Sequence, residues 1–162
     1  MNGFDRFCLF WIDLLFRILH IHPVEEKRQA FLQFVKFGVI GVTNTLVSYC
    51  IHIAVLFLLK PYALAWDYVA ANLIAFLLSV LWSFFWNNRF VFSKKDGQKR
   101  NLFATLLKTY VSYSVTGVFL CNILSWLWID VLGISKFIAP IINLFISVPV
   151  NFLLNKFWAY KA

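Results

Sequence analysis

The strongest constraint on this chain comes from four long apolar runs that contain no charged residue. They cover residues 37–59, 68–86, 109–129 and 137–154. A bilayer core about 30 Å thick needs roughly 20 apolar residues per helical crossing. In lipid each backbone polar group must be paired, and these runs lack the alternation of barrel strands. The sequence therefore predicts an all-α membrane protein with four transmembrane helices arranged as two tandem hairpins.

Basic residues are unevenly distributed around these runs, within a formal net charge of +8. Lys60 and Lys136 alone occupy the first and third connecting loops. The positive-inside rule therefore predicts a multi-pass protein of the cell membrane with both termini and the 89–108 loop in the cytoplasm. Nucleic acid is not an expected partner, because no basic domain remains outside the helices. The basic residues assigned to the cytoplasmic side are Arg6, Arg17, Lys27, Arg28, Lys36, Arg89, Lys94, Lys95, Lys99, Arg100, Lys108, Lys156 and Lys161.

The first 33 residues differ in character from the remainder, so we divide the chain into an interfacial amphipathic segment, 1–33, and a four-helix transmembrane domain, 34–162. Charged residues interrupt the apolar stretch 4–21, and Pro23 ends it. An amphipathic helix lying in the membrane interface fits this pattern. Such a helix serves either as an anchor or as a docking site for a partner enzyme. Its apolar face is predicted to contain Phe7, Leu14, Leu15 and Ile18.

The second half of the transmembrane domain repeats the plan of the first. Polar residues four apart end the second run and recur at the end of the fourth, where Asn88-Arg89-Phe90 resembles Asn155-Lys156-Phe157. This similarity pairs Arg89 with Lys156. Two hairpins in tandem keep one orientation, so they form a parallel repeat. The polar positions are Ser79, Ser83 and Asn87 in the second run and Ser147, Asn151 and Asn155 in the fourth.

Each span also carries a stripe of small or polar side chains on one helical face. These stripes fit two interpretations, close packing between helices or a polar groove that receives a ligand. His52 lies on the first stripe, where it is either hydrogen-bonded to a neighbouring helix or part of a proton relay. No span contains an acidic residue, so a proton-coupled antiporter is not expected. The candidate groove residues are Asn44, Thr45, Ser48, Ser83, Asn87, Asn88, Asn151 and Asn155.

A basic residue adjoins each span at the predicted cytoplasmic boundary, namely Lys36, Arg89, Lys108 and Lys156. Four cations around one opening favour binding of a phosphate, and the planar fork of Arg89 suits two phosphate oxygens at once. Simple snorkelling of long basic side chains to the interface explains the same pattern. The sequence thus predicts a phosphate-binding mouth and leaves ordinary anchoring as the alternative.

Catalytic and metal-binding patterns are missing from the sequence. The three cysteines form no CxxC motif, and the sequence offers no paired carboxylates or nucleophilic triad for acid–base or covalent catalysis. We therefore expect neither an enzyme nor a cofactor.

Two short motifs resemble the GtrA-like family of small four-helix membrane proteins: KFGVIGVTNT at 36–45 and WNNRFVF at 86–92. The likeness extends from about Phe34 to the end of the chain. It implies a role in cell-surface polysaccharide synthesis or teichoic acid glycosylation, with a polyprenyl-phosphate sugar and membrane lipids as partners. The resemblance implies a flippase for the lipid-linked sugar. The alternative is a non-transporting subunit that stabilises or positions a membrane glycosyltransferase, and a second copy of the chain is a further candidate partner.

Overall fold

A computed structural model describes residues 3–21, 23–62, 67–93, 100–135 and 138–161 of the chain. The predicted start of the fourth span at residue 137 and the loop residues 94–99 lie outside these ranges. The α-helices are α1 (Gly3–Ile18), α2 (Glu25–Leu59), α3 (Asp67–Trp86), α4 (Leu102–Ser114), α5 (Cys121–Trp126) and α6 (Ala139–Leu154). Four π-helical turns extend or connect them: π1 (Asn87–Val91), π2 (Val115–Leu120), π3 (Leu127–Val131) and π4 (Asn155–Ala159).

Among the described residues, four helical segments are long and apolar enough to cross a membrane: Glu25–Tyr62, Ala70–Val91, Leu102–Val131 and Ile141–Ala159. The predicted all-helical fold with four spans after a short N-terminal helix is therefore confirmed, and the chain is a multi-pass membrane protein. The first hairpin consists of α2, α3 and π1, and the second runs from α4 to π4. We call the end of the bundle where α2 and α4 begin, and where π1 and π4 end, the basic end.

The π-helical turns show how the two halves correspond. Asn87 begins π1 and Asn155 begins π4, and both side chains are fully buried. The turns close in the same way, with the Phe92 amide donating to the Asn87 carbonyl and the Tyr160 amide to the Asn155 carbonyl, each at 2.8 Å. Arg89 is therefore matched by Phe157, the third residue of its turn. The sequence-based pairing of Arg89 with Lys156 is wrong, because the buried asparagines set the register.

Aromatic contacts at the basic end repeat with approximate two-fold symmetry. The rings of Phe92 and Tyr160 stack with centroids 4.5 Å apart. Phe84 lies 6.0 Å from Tyr160, and its counterpart Phe152 lies 5.9 Å from Phe92, with an interplanar angle of 28° in both pairs. Reciprocal contacts of this kind are typical of a two-fold interface. They support a parallel repeat whose axis passes between Phe92 and Tyr160.

A separate set of contacts attaches α1 to the start of α2. Cys8, Leu9 and Ile12 of α1 are buried in one cluster with Leu32. The Asp5 carboxylate accepts a hydrogen bond of 2.7 Å from Lys36 Nζ, and Asp13 pairs with Arg28, also at 2.7 Å. The face of α1 predicted to be apolar stays exposed. One side of α1 thus packs on the protein, while the other remains available to a membrane.

Candidate functional site

Two cavities lie among the spans and meet at one set of side chains. The larger measures about 630 Å³ and is lined by residues of α2, α4, π2, α5 and α6. The smaller measures about 550 Å³ and lies between α2, α3, the end of α4 and π2. Both fall within the range of about 300 to 1,000 Å³ typical of small-molecule sites. The residues that line both cavities are Asn44, Thr45, Tyr113 and Gly117.

Four of the predicted groove residues line these cavities. Asn44 and Thr45 face both, Ser48 lines the smaller and Asn151 lines the larger. The Thr45 hydroxyl donates to the Gly41 carbonyl at 3.1 Å, within its own helix. By contrast, Asn44 Oδ1 is buried and accepts no hydrogen bond within the described part of the chain. A buried acceptor without a donor costs roughly 1 to 3 kcal/mol, so a ligand hydroxyl at this position would relieve that cost.

Tyr113 is the central side chain that the sequence analysis missed. Its hydroxyl lies 2.5 Å from Ser83 Oγ, and the Asn87 amide donates to the same Ser83 oxygen at 2.9 Å. The side chains of Asn87 and Asn151 also interact with Tyr113. Tyr113 lies one helical turn before Gly117, a small residue that lines both cavities, and that spacing was the available signal. Tyr113 thus links the polar residues of α3 and α6 to both cavities.

Ser83, Asn87, Asn88 and Asn155 do not line either cavity. Ser83, Asn87 and Asn155 are fully buried, and the Asn155 amide donates to the Asn151 carbonyl at 2.8 Å and to Asn151 Oδ1 at 2.9 Å. Buried amides at the start of both π1 and π4 satisfy polar atoms of the preceding helical turn. π-helical turns often occur at functional sites. These asparagines support the side chains that face the cavities.

The predicted phosphate mouth contains cations in unequal environments. Lys36 is buried and paired with Asp5. Arg89 is exposed, with its guanidinium carbon 5.6 Å from the centroid of the Phe90 ring. Lys108 Nζ lies 5.9 Å from the ring of Trp158, and Lys156 Nζ lies 5.5 Å from that of Phe152. Such cation–π contacts leave the charge open to an anion. In the described ranges, Arg89, Lys108 and Lys156 have no carboxylate partner, whereas Lys36 is already neutralised.

Arg100 is a second functional residue that the sequence analysis did not select. Its Nη1 donates to the carbonyls of Phe92 and Tyr160 at 3.0 and 3.2 Å, and its Nη2 donates to Asn88 Oδ1. The guanidinium also covers the Tyr160 ring, with 5.0 Å between Cζ and the centroid. Burial lowers the pKa of Arg100. We call this arrangement the Arg100 clasp, because it joins the closing residues of π1 and π4 across the pseudo-two-fold axis.

Comparisons with known proteins agree with this architecture. The family model described as GtrA/DPMS, transmembrane domain, matches residues 36–160, which include all of α3 to α6 and the four π-helical turns. A dolichol-phosphate mannosyltransferase of Pyrococcus furiosus is 28% identical over 137 residues, which are 85% of this chain and 36% of that protein. The chain therefore spans little more than a third of that relative's length. On the extent of the family match, the chain belongs to the GtrA/DPMS transmembrane domain family.

Proposed function

We propose that the protein flips a polyprenyl-phosphate-linked sugar across the cell membrane, for cell-surface polysaccharide or teichoic acid glycosylation. Its family connects the chain with the handling of polyprenyl-phosphate sugars. The observation that carries the proposal is the pair of cavities that meet at Asn44 and Tyr113 within the spans. A sugar crossing hydrocarbon needs hydrogen-bonding groups along its path, because unpaired hydroxyls are costly there.

The side chains around the cavities suit a sugar. Asn44 Oδ1 is an acceptor without a donor among the described residues, Tyr113 and Ser48 supply hydroxyls, and Asn151 supplies an amide. Sugar hydroxyls both donate and accept hydrogen bonds, so this mixture serves several hydroxyl orientations. In this proposal Asn87, Asn88 and Asn155 act indirectly, by holding the π-helical turns and Tyr113 in place.

The edge of the larger cavity suits the lipid part of the same molecule. Val42, Leu46 and Leu144 line this cavity and are all exposed at the bundle surface. In a membrane such a surface faces acyl chains. The sugar can therefore occupy the polar interior while the polyprenyl tail stays outside among the lipids.

The anionic group is assigned to the basic end. Arg89, Lys108 and Lys156 are the candidate phosphate ligands, and Lys36 contributes less because Asp5 neutralises it. With the termini in the cytoplasm, this end would receive the phosphate on the side where lipid-linked sugars are made. Binding and movement account for these features without catalysis, so we propose that the chain is not an enzyme.

A second candidate function comes from the mannosyltransferase relative. This chain corresponds to 36% of a longer protein whose name describes a glycosyltransferase. A separate membrane glycosyltransferase is then a candidate partner, which the chain would stabilise or position without transporting anything. In that case the polar stripes and the exposed face of α1 would contact the partner enzyme.

Reconstitution separates these two functions. The purified chain is placed in liposomes with a polyprenyl-phosphate sugar that carries a fluorescent group, and an impermeant quencher reports which leaflet holds the sugar. Flipping predicts exchange between leaflets that depends on the protein and is slowed in Asn44→Leu. Val111→Phe is the matched control, because Val111 is exposed and lines neither cavity. Exchange equal to that of protein-free liposomes, together with stimulation of an added glycosyltransferase, would favour the subunit function.

A further inference from the structure

A third cavity lies on the first hairpin near the basic end, separate from the two polar cavities. It measures about 300 Å³ and is lined by Phe4, Val39, Ile40, Thr43, Trp82, Trp86 and Phe90. We call it the aromatic slot. A cavity of about 150 Å³ holds one benzene molecule, so this volume accommodates roughly two five-carbon units. The slot is therefore large enough for a short piece of hydrocarbon chain.

The polar atoms of the slot are nearly all satisfied by the protein. The Thr43 hydroxyl donates to the Ile40 carbonyl at 2.8 Å and accepts from Trp82 Nε1 at 3.3 Å. Trp86 Nε1 is buried and has no acceptor in the described part of the chain. The slot thus offers an apolar surface and one unused N–H donor. An apolar chain that ends in an oxygen acceptor matches both.

Helix α1 forms one wall of the slot through Phe4. The Phe4 ring meets Phe90 edge to face, with centroids 5.4 Å apart. The next residue, Asp5, is tied to Lys36 at 2.7 Å. The salt bridge and the buried face of α1 thus fix Phe4 over the first hairpin. This position gives the N-terminal helix a specific role, beyond general attachment to a membrane.

Arg89 supplies a cation beside this hydrocarbon surface. Its guanidinium carbon lies 5.6 Å from the centre of Phe90, which itself lines the slot, and the side chain is exposed. Trp86 stacks on the same Phe90 ring, with centroids 5.4 Å apart and planes at 8°. An anion on Arg89 is thus separated from the slot by the thickness of one aromatic side chain.

We propose that the aromatic slot binds the isoprenoid units next to the phosphate of a polyprenyl phosphate, while Arg89 binds the phosphate itself. This inference rests on the proposed function and names where its carrier lipid is held. In a polyprenyl phosphate the hydrocarbon begins directly at the phosphate. A glycerophospholipid would instead place its polar glycerol esters in the slot, where Trp86 Nε1 is the one free hydrogen-bonding group among the described lining residues. The chemistry therefore selects an isoprenoid over an acyl lipid.

Photo-crosslinking of the full chain in phosphatidylcholine nanodiscs tests this inference. The probe is farnesyl phosphate with a diazirine on its first isoprene unit, and labelled peptides are mapped by mass spectrometry. Label is expected on the start of α1 and on residues 82–90. Val39→Phe fills the slot and should lower the labelling about tenfold, since it displaces several buried carbons. Val111→Phe is the control. Phe4→Ala removes one wall and should also weaken labelling, which keeps the test valid if Val39→Phe misfolds.

Competition with unlabelled compounds identifies the ligand. Farnesyl phosphate should compete well, whereas farnesol lacks the group for Arg89 and dioleoyl phosphatidic acid lacks the isoprenoid. Equal competition by phosphatidic acid would overturn the choice of an isoprenoid, and equal competition by farnesol would overturn the role of Arg89. Label elsewhere, with normal flipping in liposomes, would refute the slot and leave the proposed function standing. Label in the slot without any flipping would support the slot and refute the proposed function.

Discussion

The two hairpins share one architecture but differ in what surrounds it. Each ends in a π-helical turn that begins with a buried asparagine and closes on an aromatic residue. In the first hairpin Phe90 is covered by Phe4 of α1, whereas its counterpart Trp158 is exposed and approached by Lys108. Arg89 is likewise matched by Phe157. The two hairpins thus share the buried scaffold and differ in the side chains on the outer surface.

The first and third spans differ as well. Helix α2 is continuous from Glu25 to Leu59, while the segment from α4 to π3 is interrupted by π2 and ends in π3. Asn143 of α6 supports this irregular region: it accepts from Trp128 Nε1 at 3.0 Å and donates to Ser125 Oγ at 2.8 Å. Its counterpart in the first hairpin is Ala75, which offers no such bonds. A polar residue in only one repeat therefore coincides with the less regular span.

The largest expected effect concerns orientation, because a parallel repeat requires both hairpins to face the same way. A reporter that is active only in the cytoplasm should work when fused at Ala162 or within residues 94–100, and it should fail at Tyr62 or Gly133. The physical reason is the concentration of Lys and Arg on one side. If the two hairpins gave opposite patterns, the parallel repeat would be refuted. A uniformly reversed pattern would show that the basic end lies on the extracytoplasmic side of the membrane.

Removal of the Arg100 clasp should separate the two hairpins at their common axis. Hydrogen bonds from a charged donor contribute roughly 1.5 to 3 kcal/mol each. The hydrogen bonds of Arg100 are partly exposed, and two of them share one nitrogen atom, so their sum is smaller. We therefore expect Arg100→Ala to lower the free energy of unfolding by about 3 kcal/mol. Thermal unfolding in detergent measures this loss. Arg100→Lys should recover only part of it, since a single ammonium cannot reproduce the planar fork. Lys161→Ala, at an exposed site, is the control. Equal stability of Arg100→Ala and the control would contradict the clasp.

Substitution of Arg89 tests whether the outer surface of the first hairpin binds phosphate. Arg89→Lys preserves the charge but loses the bidentate contact with phosphate, which is worth roughly 1.5 to 3 kcal/mol. The flipping rate or the affinity for farnesyl phosphate should therefore fall by about one to two orders of magnitude. Lys161→Arg, at an exposed position outside the proposed phosphate ligands, should change little. The anchoring interpretation predicts normal activity for both variants at matched protein abundance. That result would show that Arg89 contributes to the positive-inside charge distribution and does not bind phosphate.

Sequence reasoning succeeded where the bilayer alone decides the outcome. Long uncharged runs located the spans. Helical periodicity grouped Asn44, Thr45 and Ser48 near one face of the first span, and their role in a ligand groove stays a prediction. It failed where tertiary contacts decide. The short motif match aligned Asn88 with Asn155, whereas burial pairs Asn155 with Asn87, so the counterpart of Arg89 was misassigned by one residue. Arg100 lies in a polar loop, and only the assembled bundle brings it to the carbonyls of Phe92 and Tyr160.

The smallest expected effect is at Tyr113, a residue of the second hairpin whose hydroxyl contacts Ser83 of the first. Tyr113→Phe removes only the hydroxyl that lies 2.5 Å from Ser83 Oγ and leaves the ring in place. A neutral hydrogen bond of this kind contributes about 1 kcal/mol, and Ser83 keeps its bond from the Asn87 amide, so the fold should remain intact.

Flipping by Tyr113→Phe should nevertheless slow by about fivefold, because Tyr113 lines both cavities and its hydroxyl is a candidate contact for the sugar in the proposed function. The liposome exchange assay measures the rate, and a melting curve of the same sample measures stability. Tyr110→Phe is a matched control: its hydroxyl donates to the Leu77 carbonyl at 2.6 Å, and Tyr110 lines neither cavity. A similar loss of stability is expected in both variants, but a loss of flipping only in Tyr113→Phe. Equal flipping rates in the two variants would show that the Tyr113 hydroxyl serves packing between the hairpins rather than contact with the sugar.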